Sequence, residues 1–197
     1  MVVGAAGGPA ATLCRGLGLR EVPRSEARDP GRRAVLLVDD WAAWRKAARS
    51  ALAAVRAGAT LVFLELPPGT YDPLTDGTPI EVQRTGMGEF FFVSRATGHQ
   101  LVEGFQPDDF KFWYDPAADC VMPLIGAVLF APGWSPVLAS GVVGWGAEGG
   151  PAQAAVERRV GEGIVRVCQV RLARMLVNPA TTLFARRLVG MGGGDSW

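Results

Sequence analysis

The residues with the most chemistry to offer lie between His99 and Tyr114, in the run HQLVEGFQPDDFKFWY. Five aromatic side chains, three acids and the sole histidine of the chain fall within sixteen positions. Asp108 and Asp109, with Glu103 and Asp115 nearby, stand beside Trp113 and Tyr114. Two carboxylates and a ring platform are what glycosidic cleavage or sugar stacking requires. The same rings can equally pin a long loop onto a sheet and leave the acids in water. His99, Asp108, Asp109, Trp113, Tyr114 and the more distant Trp134 are therefore candidates for contact with a ligand or a partner.

A second acidic pair, Asp39-Asp40, follows the apolar run Ala34–Val38, at the carboxyl end of a strand where open α/β sheets place their sites. One reading is a weak strand-end carboxylate site. The other is a helix cap beside a dipole-favoured acid. The pair resembles the acidic pair of a two-component receiver domain, but the next strand carries Glu65 where that family needs an aspartate, and too little chain separates the two strands.

Other chemistries lack their parts. Gly4, Gly7 and Gly8 do not complete a GxGxxG phosphate cradle. The turn after TLVFLEL holds Leu66, Pro67 and Pro68, none of which can attack a carbonyl. Cys168 sits mid-strand and reads as core, while Cys120 adjoins Asp119 rather than a cation that would activate it. There is no CxxC or His–Cys cluster, so neither a metal nor a cofactor is expected. No catalytic residue is assigned.

These residues need a scaffold, and the pattern supplies one. Val2-Val3 followed by Gly4–Gly8 reads as a strand end and glycine turn, and Pro9 opens a helix that Gly16 and Gly18 stop. Residues 20–33 read as a polar surface connection. Ala34–Val38 and Thr60–Leu66 are continuous apolar strands flanking the helix Trp41–Ala57, whose apolar stripe is Trp44, Ala47, Ala48, Ala51, Leu52 and Val55. Asp40 is its N-cap and Gly58 its C′ glycine. This βαβ unit implies parallel pairing. Beyond Pro67, shorter strands are expected at Ile80–Gln83, Phe90–Ser94, Val128–Phe130, Pro136–Val143, Gln153–Val160 and Ile164–Val170. A glycine-rich stretch covers 141–150, a final helix capped by Asn178 and Pro179 runs to Val189, and a frayed tail ends the chain.

Composition narrows the classes further. The formal net charge is +1 over 197 residues, with arginines scattered, so nucleic acid and anionic membrane are not expected as partners. No signal peptide and no run of eighteen apolar residues occurs. Three widely spaced cysteines argue for a reducing compartment, hence a cytoplasmic protein.

Taken in order, FVSRATGHQLVEGFQPDDFKFWYDP, SPVLASG, AAVERRVGEGIVRVCQVRLA and NPATTLFARRL resemble a known accessory module. It is the class I glutamine amidotransferase-like (flavodoxin-like) domain of bacterial glycoside hydrolase family 2 proteins of the β-galactosidase and β-glucuronidase type, related to the β-galactosidase trimerisation domain. The likeness spans Ala34 to Leu188 and is most specific at Gly98–Gly104, Phe110–Tyr114 and Gly161–Gln169. It implies a three-layer α/β sandwich with a mostly parallel central sheet and a β-rich C-terminal edge. Residues 1–190 would form one domain, excised from a longer glycosidase, with 191–197 a disordered tail. In amidotransferases a cysteine occupies the elbow after the third strand and a His-x-Glu follows a late strand. Here those stations read Glu65-Leu66-Pro67 and Arg171-Leu172-Ala173, so glutaminase activity is not implied. A glycosidase barrel of ~250 residues does not fit in this length. The implied role is a non-catalytic accessory or interaction domain, with a parent's catalytic barrel or a second copy as partner and a carbohydrate as a further one. An independent sugar- or small-molecule-binding domain and a cryptic carboxylate-dependent hydrolase are the alternatives.

Overall fold

Two apolar runs rich in β-branched residues, one good helix former between them and tight turns at both ends dictate the first part of the fold. In the computed structural model, which describes residues 1–20, 34–84, 95–96, 98–110, 113–139 and 152–191, β1 (Val2–Val3) is followed by α1 (Pro9–Gly16), β2 (Val35–Val38), α2 (Trp41–Arg56) and β3 (Thr60–Leu64). The expectations placed on residues 21–33 of the polar connection, the strand Phe90–Ser94, the glycine-rich stretch 141–150 and the tail from Gly192 lie outside the described residues.

These elements belong to a first compact unit comprising Met1–Leu66, Arg158–Val167 and the chain from Leu172. β1 pairs with β2 in parallel, Val3 opposite Val38, and β2 with β3 in parallel, Leu36 opposite Leu61 and Val38 opposite Phe63. The expected βαβ unit is therefore present. α2 buries the anticipated stripe from Trp44 to Val55, and the Trp44 ring meets Phe63 edge-on at 4.9 Å. Asp40 caps it by accepting from the amides of Ala42 (2.8 Å) and Ala43 (3.1 Å), and Gly58 leaves it with φ +112°.

The second unit, Pro67–Glu157 with Cys168–Arg171, follows different rules. Its connections are short, and short connections join strands only antiparallel. β4 (Gly69–Tyr71), β5 (Ile80–Arg84), β6 (Arg95–Ala96), β7 (Trp113–Asp115), β8 (Cys120–Met122), β9 (Ala127–Phe130), β10 (Ser135–Ala139) and most of β11 (Gln153–Val160) lie here. Their order is β4-β5-β9-β11, with β10 pairing both β11 and β6, and β7 with β8 forming a separate hairpin. Pairings between β4 and β5, β5 and β9, β9 and β11, β10 and β11, and β7 and β8 are all antiparallel. The chain is thus an α/β protein with a mixed sheet. Parallel pairing holds across β1–β3 and does not extend into this β-rich part, which corrects the expectation of a mostly parallel sheet. Register shifts between β10 and β11 around Val137 and Ala154 break the alternation, and both strands bury consecutive residues there.

The chain returns to the first unit with β12 (Gly163–Cys168), next to β3, and with α3 (Pro179–Leu188). Gly163 is required by its neighbours, since a Cβ there would stand 2.1 Å from the Val55 carbonyl oxygen and 2.3 Å from that of Ala59. Arg166 is 4% exposed, and its guanidinium donates to the carbonyls of Leu188 and Arg187 (3.2 Å to the latter) at the C-terminus of α3, where a cation suits the helix dipole. Asn178 caps the other end of α3 through the amides of Ala180 and Thr181, as expected. Among the described residues, no helix is long and apolar enough to cross a membrane.

Candidate functional site

The carboxyl ends of β1 and β2 gather Gly4, Asp39 and Asp40 with the N-termini of α1 and α2. The two adjacent acids serve different helices. Asp40, exposed, caps its own helix α2. Asp39 reaches back 29 residues and accepts from the amide of Ala10 at 2.9 Å, capping α1 where Gly8 offers no side chain. Two glycines make room for this carboxylate. A Cβ on Gly4 would lie 1.5 Å from Asp39 Oδ1, and one on Gly8 2.3 Å from Oδ2. Asp39 Oδ1 is buried without a hydrogen bond. A pocket of about 290 Å³ opens beside this corner, lined by Val2, Val3, Gly4, Asp40, Ala42, Ala43 and Lys46. Both carboxylates are thus helix caps.

One strand over, Glu65 follows β3 with φ +48°, a left-handed conformation that costs a non-glycine residue of order 1 kcal/mol or more. The chain turns sharply there into buried Leu66 and exposed Pro67. The backbone is bent as an elbow, and the residue at its apex carries a carboxylate rather than a thiol or hydroxyl.

In the second unit the run from His99 to Tyr114 is more regular than a pinned loop. It contains two turns of 3₁₀ helix, Gln100–Val102 and Pro107–Phe110, and its end is a strand of the β7–β8 hairpin. Tyr114 faces Val121 across that hairpin, and Trp113 faces Met122. The rings divide sharply. Trp113 is 1% exposed and its indole N–H donates to the carbonyl of Asp109 at 2.9 Å. Trp134, in the β9–β10 turn, is 7% exposed. Neither offers a face to a ligand, which corrects their candidacy as stacking platforms. Phe110 is buried against Phe105, with centroids 5.1 Å apart. Tyr114 is 51% exposed, and its hydroxyl donates to Asp119. That bond, with smaller contributions from burial and from the charges of Cys120 and Asp115, raises its pKa above the ordinary 10.0. Asp109 Oδ2 accepts from the Gln106 amide at 2.8 Å and closes the second 3₁₀ turn, while Asp108 is exposed. Asp115 Oδ1 accepts from the amides of Ala117 and Ala118.

His99 is the surprise of this region. Its Nδ1 accepts from the Leu101 amide at 3.2 Å, and its Nε2 lies 3.0 Å from Glu157 Oε1 on β11. An accepting Nδ1 leaves the ring proton on Nε2, where it is donated to the carboxylate. Glu157 is 6% exposed overall, so the pair is an internal clamp joining the first 3₁₀ turn to the sheet. Sequence reasoning missed Glu157. The available signal was an acid following the apolar run Ala154–Val156. The structure brings His99 to Glu157, Asp109 to Gln106 and Trp113, and Tyr114 to Asp119. Among the described residues no group of three or more His, Cys, Asp or Glu could hold a metal ion.

No protein-family model matches the chain. A curated relative, the SPI-2 type 3 secretion system ATPase of Salmonella typhimurium (strain LT2), is 37% identical over 125 residues, which cover 64% of this chain and 26% of that protein. The chain spans about a quarter of the length of this relative.

Proposed function

We propose that the chain is a non-catalytic accessory domain of a family 2 glycoside hydrolase, amidotransferase-like in fold, that supports assembly or shapes the approach to a catalytic barrel. The observation that carries this reading is the elbow at Glu65. A strand of a parallel βαβ unit ends in a left-handed residue, the backbone device that presents a nucleophile on α/β scaffolds, yet the side chain there is an acid followed by leucine and proline. The resemblance of the chain to the accessory domain accounts for both the retained bend and the missing thiol. The internal roles of Asp39, Asp40, Asp109 and Asp115 as caps and turn acceptors agree with it. The three cysteines, none in a disulfide, suit a cytoplasmic location.

The similarity to a secretion ATPase suggests a different activity, but nucleotide hydrolysis needs the GxxxxGK[ST] phosphate loop. The two lysines of this sequence, Lys46 and Lys111, follow Arg45 and Phe110, so that motif is absent from it. Sugar binding survives only in reduced form, on Tyr114 with its flanking acids. Titrating sugars while following tryptophan fluorescence, with Tyr114→Ala as control, tests it, and saturable binding lost in the variant would favour it. For the accessory reading, deleting residues 1–190 from the glycosidase that carries them should change its oligomeric state or substrate preference. Unchanged assembly and kinetics would refute it.

A further inference from the structure

The β7–β8 hairpin has two faces, and the one turned away from Tyr114 carries sulfur. Cys120 and Met122 are two residues apart on β8, so their side chains leave the strand on the same side. Their register partners on β7, Asp115 and Trp113, share that side, whereas Tyr114 and Val121 take the other. Cys120 is exposed, Met122 half-buried and Trp113 buried, so the face runs from open water at the thiol toward the core beside the thioether. Cys120 Sγ and Met122 Sδ stand 3.9 Å apart.

As a hydrogen bond this contact contributes little, because a thiol donates weakly and a thioether accepts weakly. As a pair of ligands it is well set. A single metal ion with metal–sulfur bonds of about 2.3 Å spans two sulfurs at that separation. Thiolate and thioether are soft donors and select a soft ion such as copper(I). Harder ions find less here. Asp115, the carboxylate opposite Cys120, gives Oδ1 to the amides of Ala117 and Ala118 and so holds the turn. Among the described residues no group of three His, Cys, Asp or Glu side chains forms, as a zinc or calcium site needs. The other two cysteines do not compete. Cys14 is buried, with its thiol donating to the Leu19 carbonyl at 3.4 Å, and Cys168 is buried in β12.

We propose that Cys120 and Met122 form a two-sulfur chelate for a soft monovalent cation, copper(I) or silver(I). Binding replaces the S–H bond of Cys120 with a metal–thiolate bond, releases the proton to solvent and changes no oxidation state, while the Met122 sulfur donates a lone pair. The exposed thiol is the point of entry, and the half-buried thioether holds the ion on its inner side. The expectation of no metal weighed cysteine and histidine pairs and left methionine aside. This chelate is independent of the accessory role.

Anaerobic titration of the chain with silver(I) and with copper(I), followed by native mass spectrometry, tests it. The wild type should bind one ion per chain, and X-ray absorption should show two sulfur neighbours at about 2.3 Å. Excess zinc(II) should not displace silver(I). Cys120→Ser should abolish binding. Met122→Leu keeps the side-chain volume and should weaken binding about tenfold or more, since losing a residue that merely supports a ligand already costs that much. Far-UV circular dichroism confirms folding of each variant, and the X-ray absorption needs no variant at all. A wild type that takes up no ion, an ion retained by Cys120→Ser, or a single sulfur neighbour overturns the chelate. An affinity unchanged in Met122→Leu overturns it too, because an exposed thiol would then be acting alone.

Discussion

Asp39 and Asp40 are neighbours in sequence, yet each is held by a different helix, and each should fail differently. Asp40→Ala removes a local N-cap and should cost about 1 kcal/mol in urea unfolding, while Asp40→Ser should be close to neutral. Gly4→Ala should cost about 2 kcal/mol, because its Cβ displaces the carboxylate that caps α1. A Gly4→Ala protein as stable as the wild type would contradict that packing. The His99–Glu157 clamp makes a sharper prediction. Removing the imidazole leaves a buried carboxylate short of a donor, so His99→Ala should cost about 2 kcal/mol. A double-mutant cycle with Glu157→Gln should return a coupling of about 1 kcal/mol or more, and additive effects would show that the pair is not coupled. Tyr71 donates to the Pro67 carbonyl at 2.6 Å, and burial raises its pKa above 10.0. The folded value lies above the unfolded one, so its contribution is fully present below about pH 10 and is lost as pH rises through the folded value. Tyr71→Phe should therefore flatten the alkaline fall in stability, which thermal melts from pH 9 to 11 would reveal.

At the scale of elements, legibility followed how local the deciding forces are. α2 could be read almost to the residue, because its stripe, its Asp40 cap and its Gly58 stop all lie within one stretch of chain. α3 was legible for the same reason, through Asn178 and Pro179. The β7–β8 hairpin was not. Its strands are three residues each, too short for alternation to register, and Asp119 rather than a glycine takes the left-handed turn position with φ +48°. The partnership of His99 and Glu157 spans 58 positions of sequence and leaves no periodic trace. Nor could burial of Trp113 be told from exposure, since neighbouring Tyr114 has the opposite fate and the two differ only in strand face. Packing between elements offers its own test. Gly163→Ala would drive a methyl into backbone oxygens at the end of α2, so it should destabilise by about 2 kcal/mol or more, unlike Gly133→Ala, where a Cβ meets nothing within 4 Å and only the positive φ opposes it.

At the scale of the whole molecule, the sequence pattern supported an α/β protein because one βαβ unit suffices to fix that class. It did not disclose how much of the sheet is antiparallel, since short strands joined by short turns carry no direction of their own until paired. The candidate site changed character in the same way. What looked like a clustered set of acids and rings resolves into caps, a clamp and one exposed tyrosine, and the elbow at Glu65 keeps a bend with a carboxylate in place of a thiol or hydroxyl. The proposed non-catalytic role is tested most directly by turnover. The purified protein, incubated with a panel of aryl glycosides and with glutamine, should release neither phenolate nor ammonia above the buffer rate. Hydrolysis that Glu65→Gln or Asp39→Asn abolishes, with folding intact, would contradict the account.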